Sequence, residues 1–269
     1  MDLNTIETVR GARTRRDLLL KPGETFLGGG TWLFSEPQTR TTGLVDLTTM
    51  GWPSVEYRPD GLRIAATCTI AELSRIPPRE GWRAHPIFFK AASALLASFK
   101  IWNVATVGGN ICRSYAAAAV VSLAVTLDAT ALIWTADGTE YTIPVAHIST
   151  GNGTNRLARG DVLRCIDIPA HALRARTGFR KIALAELGRS AAVLTGRLDT
   201  SGAAVFTITA ATLHPVVLRY DALPTSGRLR ADAQDAEGYY TDPMGTADWR
   251  RAVSTVLIEE IRQELLPWS

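Results

Sequence analysis

FLGGGTW, residues 26–32, sets three glycines in a row directly after an apolar lead-in. A second stretch, TVGGN at residues 106–110, repeats the arrangement far along the chain. Glycine has no Cβ, so a run of it lets another group come close to the backbone. Successive glycine amides also converge into nests that bind anions. Taken alone, Gly28-Gly29-Gly30-Thr31-Trp32-Leu33 comes near the dinucleotide pattern GxGxxG, with Asp46 where a ribose-binding acid belongs. That reading fails twice. Leu33 stands where a third glycine must allow close helix packing, and Pro37 interrupts the stretch a crossover helix would need. One cluster by itself reads as a tight turn. Two clusters from distant parts of the chain predict two nests gripping the two phosphates of one pyrophosphate. Thr31, Thr106 and Asn110 would add side-chain hydrogen bonds, and the apolar neighbours would hold a flat ring system.

The bulk of the chain sets bounds on this site. Its 269 residues allow one large domain or two to three small ones. The net charge of +3 is too small and too scattered to suggest nucleic acid. No stretch approaches the ~18 apolar residues of a membrane span. Cys68, Cys112 and Cys165 stand far apart, without a CxxC or cysteine–histidine metal spacing. No zinc or iron–sulfur cluster is therefore expected on this chain, and the odd cysteine number fits a reducing cytoplasm. TRRDLLLK, residues 14–21, imitates a twin-arginine export signal, but Pro22, Gly23 and Glu24 follow instead of an apolar region. The stretch is predicted as a short helix over residues 5–20, with Arg10, Arg13 and Arg16 on its solvent side.

Short strands and helices alternate along the chain. TFL and GLVDL (43–47) read as strands. GLRIAA (61–66) leads into TIAEL, where Thr69 and Glu72 form a capping-box pattern. HPIFFKAASALLASF (85–99) predicts a helix with Pro86 in its first turn. TALIWTADGTEYTIPV (130–145) predicts a hairpin turning at Asp137-Gly138. DVLRCIDIP (161–169) alternates as a strand does. FRKIAL, AVLTGRL and AAVFTITAATL predict three antiparallel strands over 179–213, with a turn at Asp199-Thr200-Ser201-Gly202. TADWRRAVSTVLIEEIRQELL (246–266) predicts an amphipathic helix with Val253, Val256, Leu257, Ile261 and Leu265 on one face. The fold class is α+β, with a boundary between Pro169 and Gly178.

FLGGGTWLF resembles the first flavin motif, Ala-Gly-Gly-Thr/His-x-Leu, of the FAD-binding medium subunits of molybdenum hydroxylases, the xanthine dehydrogenase and carbon monoxide dehydrogenase type. WNVATVGGNI resembles their second motif, Arg-Asn-x-Ala-Thr-Ile-Gly-Gly-Asn. LVDLT, IAATCTIAEL, LDATALIW, GDVLRCIDIP and FRKIALAELGRSAAV follow in the family's order, so the resemblance covers about residues 1–265. It implies a PCMH-type (vanillyl-alcohol-oxidase-like) FAD fold. Two α/β lobes, 1–54 and 55–172, would precede a C-terminal domain, 173–269, of a three-stranded antiparallel sheet with helices. It implies FAD contacts from Leu27 to Leu33 (Gly28, Gly29, Gly30, Thr31, Trp32) and from Thr106, Val107, Gly108, Gly109 and Asn110. Thr67 matches a position that approaches the cofactor, Leu163 a backbone contact near the flavin ring, and Lys181 a lysine beside the ring's redox face. The sequence departs from the family at Ala119, where an aspartate is frequent and whose contact Ser114 or Tyr115 would replace. It departs again at Arg189-Ser190, which supplies no aromatic lid, and at Trp102, which replaces an arginine.

By the same resemblance the chain is a flavin-dependent oxidoreductase subunit. FAD would pass electrons from the [2Fe-2S] small subunit, fed by a molybdopterin-binding large subunit, to NAD, oxygen or a quinone. Two other readings remain at this point: a self-sufficient flavoenzyme of the same fold, and a non-catalytic nucleotide-binding or scaffold module. Without the resemblance Lys181 reads as a solvated lysine. Cys112 reads as a packed residue, and the four histidines as surface or capping groups. Trp32 and Trp102 each adjoin a motif, as stacking or as core residues.

Overall fold

The computed structural model describes residues 3–185 and 188–266. Residues 186–187 of the FRKIALAELGRSAAV segment lie outside the described residues. The N-terminal segment forms three parallel strands, β1 (Thr8–Gly11), β2 (Glu24–Leu27) and β3 (Gly43–Asp46), with β3 in the middle. The second segment supplies β4 (Val55–Arg58), β5 (Gly61–Ala65), β6 (Thr130–Trp134) and β7 (Glu140–Pro144). A small ribbon, β8 (Ser149–Gly151) with β9 (Thr154–Asn155), precedes β10 (Val162–Pro169). These build an antiparallel sheet in the order β4-β5-β10-β6-β7. The C-terminal sheet is antiparallel in chain order: β11 (Arg176–Ile182), β12 (Ala192–Leu198), β13 (Ala204–Thr209) and β14 (Val216–Tyr220). The helices are α1 (Ile70–Ser74), α2 (Pro86–Ala94), α3 (Phe99–Trp102), α4 (Val107–Arg113), α5 (Ala119–Thr126), α6 (Ala170–Arg174), α7 (Ser226–Gln234) and α8 (Ala247–Glu264). The chain is α+β, and no helix among the described residues is long and apolar enough to cross a membrane.

Most strands follow their sequence pattern. β10 is a strand as predicted, but its burial does not alternate: Val162, Leu163, Cys165, Ile166 and Ile168 are all buried, and its register with β6 shifts between Leu163 and Cys165. The hairpin turns at Gly138, whose φ of 90° suits glycine. Three further expectations are corrected. Residues 5–20 do not form a helix: Thr8–Gly11 pair in parallel with Gly43–Asp46, and only Arg15–Leu18 turn helically. The sheet edge overrides the local pattern because Arg10 is not on a wet face; its Nε and Nη2 donate to both oxygens of Glu24 at 2.8 and 2.7 Å. The predicted helix over 85–99 stops at Ala94, where Leu95 turns extended, and restarts at Phe99. On α8, Val256 is 54% exposed while Ile258 is fully buried, so the apolar face is rotated from the predicted one.

Among the elements not read from sequence are β14 and α5. β14 adds a fourth strand to the C-terminal sheet. Helix α5 is buried along its whole length, against α2 and α4 on one side and β12 and β13 on the other. A helix apolar all round has no amphipathic signature, which explains why its sequence pattern is mute. Its few hydroxyls pair with the C-terminal sheet: Ser122 with Thr209 at 2.7 Å and Thr126 with Thr195 at 2.6 Å. Beside them the fully buried Arg197 donates to the Thr126 carbonyl and to Asp128. Helix α8 covers the same sheet where Gly178 and Gly196 pair across β11 and β12; a Cβ on either would meet Ile261 within 2.6 Å.

Candidate functional site

Both glycine clusters line one cleft of about 550 Å³. The chain brings them there through close backbone packing. The turn after β5 lies along the start of α4: Ala66 and Cys68 carbonyls accept the amides of Gly108 and Val107, both at 2.8 Å. Val104 and Ala105, just before, meet the first cluster. A Cβ on Gly29 would sit 1.6 Å from the Val104 carbonyl oxygen, and one on Gly108 would sit 2.6 Å from the Ala66 Cβ. Neither distance is attainable, so these glycines are required by contact.

The two clusters do not form equivalent nests, which corrects the sequence expectation. In the second, the Gly109 amide donates to Thr106 Oγ1 at 3.1 Å and the Asn110 amide to the Thr106 carbonyl at 3.0 Å. With Gly108 bonded to Ala66, that run has spent its donors on its own packing. In the first, no backbone amide from Gly28 to Leu33 donates to an acceptor among the described residues. Gly30 is left-handed there, at φ 68°. The open donors that an anion would meet therefore come from FLGGGTWLF.

Leu27, Gly28, Gly29, Gly30, Thr31, Trp32, Leu33, Thr106, Gly109 and Asn110 all line the cleft. Thr67, Val107, Gly108, Ser114, Leu163 and Lys181 do not. Val107, Ser114 and Leu163 are buried in the fold, and Ser114 Oγ donates to the Ile111 carbonyl. Lys181 lies on β11, paired with Val193. Ala119 is buried at the start of α5 and presents nothing to the cleft. Asn110 does work that the sequence did not reveal: its Oδ1 accepts the Val120 amide at 2.9 Å and so caps α5, where Ala118 cannot. Asp46 caps its own helical turn through the Thr48 amide.

Sequence reasoning missed the cations. Arg113 and Arg189 line the cleft, and no carboxylate does among its described lining residues. The Arg113 guanidinium lies 3.5 Å from the Trp32 ring centroid and 4.7 Å from that of Tyr115, and it donates to the Tyr115 hydroxyl at 3.1 Å. The signal was in the sequence: an arginine three residues past Asn110, on the helix the second cluster opens. Cys112 also lines the cleft, with burial pushing its thiol up to about 12, so it is no nucleophile at neutral pH. Trp102 does not line the cleft and packs against the core of the second segment. No cluster of metal-binding side chains occurs among the described residues.

Residues 9–171 match the family described as the FAD binding domain in molybdopterin dehydrogenase. No curated protein matches the sequence. Among solved structures, the reconstituted CO dehydrogenase from Oligotropha carboxidovorans has a chain that aligns with a TM-score of 0.85 at 20% identity, over 98% of this chain and 99% of its own. Quinoline 2-oxidoreductase from Pseudomonas putida 86 aligns with a TM-score of 0.82 at 18% identity, over 98% of each chain. A carbon monoxide dehydrogenase from Hydrogenophaga pseudoflava aligns with a TM-score of 0.82 at 18% identity, over 97% of each chain. At these identities the likeness is one of fold.

Proposed function

The chain belongs to the family of FAD-binding domains of molybdopterin dehydrogenases, and from that premise we propose that it is the electron-transferring flavin subunit of a molybdenum hydroxylase. FAD is its cofactor, and when bound it supplies a redox centre that exchanges electrons with a donor and an acceptor. The observation that carries the reading is the contact of Gly29 with Val104, which forces two distant flavin-motif segments onto one cleft. The residues fit the group. The open amides from Gly28 to Leu33 suit phosphate oxygens. Trp32 Nε1 is a buried donor without a partner among the described residues. Leu95, Leu96, Ile101 and Ala105 give the cleft an apolar wall for a flat ring.

In this reading Thr31 and Asn110 add polar contacts, and Thr106 holds the second motif in shape. Lys181, Thr67 and Leu163 act by shaping the neighbourhood of the cleft rather than its lining. The three segments 1–54, 55–172 and 173–269 are taken as two flavin lobes and a C-terminal domain. The donor is the [2Fe-2S] small subunit, served by the molybdopterin large subunit; the acceptor is NAD, oxygen or a quinone. An exposed apolar side chain supports such docking: Phe99 is 73% exposed, near the cleft-lining residue Ile101. A cytoplasmic location is proposed with this, in keeping with three free cysteines.

The test is reduction of the bound flavin, followed by its absorbance. Hydroxylase substrate is expected to bleach it only after the molybdenum and iron–sulfur subunits are added. Bleaching by a small-molecule substrate in the isolated chain would overturn the subunit reading in favour of a self-sufficient flavoenzyme.

A further inference from the structure

Resting on that reading, we propose that Arg113 is the cation that binds the diphosphate of the dinucleotide and selects for it. Among the described residues the cleft has a positive charge without a counter-charge. Among the described residues Arg113 makes no ion pair and no carboxylate lines the cleft. A guanidinium keeps its charge in a protein, and withdrawing a charge from water costs free energy unless it is paired or hydrogen-bonded. Arg113 is only partly hydrogen-bonded. Its Nε is buried without a partner among the described residues, and its one hydrogen bond goes to the neutral Tyr115 hydroxyl.

The guanidinium is also held in place. The Trp32 and Tyr115 rings lie 3.5 and 4.7 Å from it, an arrangement that favours a cation over a π face and restricts its rotamers. Trp32 belongs to the run whose backbone amides are open from Gly28 to Leu33. The fixed cation and the open amides therefore share one wall. A single carboxylate offers about four acceptor sites, fewer than this wall has donors; a diphosphate has the oxygens and the charge to meet both. Arg189, exposed and 5.9 Å from the Tyr115 ring, stands at the rim.

Binding of FAD, ADP, riboflavin and adenosine to the cofactor-stripped full chain tests this. FAD and ADP carry the diphosphate; riboflavin and adenosine do not. Arg113→Met is expected to weaken FAD and ADP by roughly ten- to a hundredfold, the range of a charged hydrogen bond. It is expected to leave riboflavin, adenosine and the melting temperature unchanged and to flatten the salt dependence of FAD binding. Arg113→Lys restores part of the FAD affinity, because it returns the charge without the planar fork. Wild-type affinity for FAD and ADP in Arg113→Met, with the fold intact, overturns the proposal and leaves the flavin reading standing. An equal loss of all four ligands, or a lowered melting temperature that Arg113→Lys does not repair, assigns Arg113 a structural role and also overturns it. Wild-type protein that binds ADP but not FAD, with ADP lost in the variant, upholds Arg113 and overturns the flavin reading. Wild-type protein that binds none of the four overturns both.

Discussion

Gly29 shows how a single residue carries fold and site together. With 1.6 Å between a Cβ and the Val104 carbonyl oxygen, any side chain pushes the first motif off the second. Gly29→Ala is expected to destabilise the chain by about 2 kcal/mol or more, the cost of overpacking a tight contact, and to abolish FAD retention. Thermal melting and the flavin absorbance of the purified variant check both. At Glu24 the expected effect depends on pH. Hydrogen bonds from Arg10 outweigh burial and hold its carboxyl at about 2, below the ordinary 4.5. A carboxyl depressed in the folded state stabilises above its unfolded pKa, and that contribution disappears as pH falls from about 4.5 to about 2. Glu24→Gln is therefore expected to lower stability at neutral pH and to flatten the acid limb between those values in an acid titration followed by circular dichroism. Both residues were visible in the sequence, Gly29 as part of a motif. Neither partner was, since Val104 and Arg10 become neighbours only through folding.

Among the elements, α5 depends on a cap from outside itself. Ala118 has no side-chain acceptor, and Asn110, on α4, fills the place through its Oδ1. Asn110→Ala is expected to cost about 1 kcal/mol, as for a lost helix cap. Asn110→Asp keeps the acceptor and is expected to keep the melting temperature. It sets a negative charge in the cleft lining and is expected to weaken FAD binding, which separates the two roles of one side chain. Melting curves and FAD titrations of both variants provide the check. Elements with strong local signals were legible: the Thr69–Glu72 capping box forms as the spacing predicts, and so does the turn at Asp137-Gly138. Helix α5 was not, because an all-apolar run carries no period. β1 was misread because Arg10, taken with Arg13 and Arg16, resembled the wet face of a helix, whereas Arg10 pairs with Glu24.

Over the whole molecule, the C-terminal sheet is tied to the flavin segment by polar groups rather than by grease alone. Thr195 bonds both Thr126 and Thr207, and Arg197 joins the end of α5 to Asp128 and Asp199. Burial alone would raise the Asp128 carboxyl, but hydrogen bonds from Arg219 and Arg197 prevail and lower it. Its contribution is thus present at neutral pH and lost in acid, below the ordinary aspartate range. Arg197→Met leaves two carboxylates and the Thr126 carbonyl without their buried donor and is expected to cost about 3 kcal/mol. Limited proteolysis is expected to release the C-terminal segment from this variant first. Denaturant melts of wild type and variant measure the cost.

The sequence by itself determined the fold class, the cofactor family and the two segments that meet at the cleft. Those signals are local: glycine runs, capping residues, turn dipeptides and strand alternation act over a few neighbouring residues. Tertiary structure alone decided which glycine amides stay open, since that depends on whether Ala66 and Thr106 stand opposite to accept them. It also decided that Asn110 caps a helix and that Arg113 lies against Trp32. A hydrogen bond or a stacked charge is a property of two residues, and the chain order does not state which second residue will arrive.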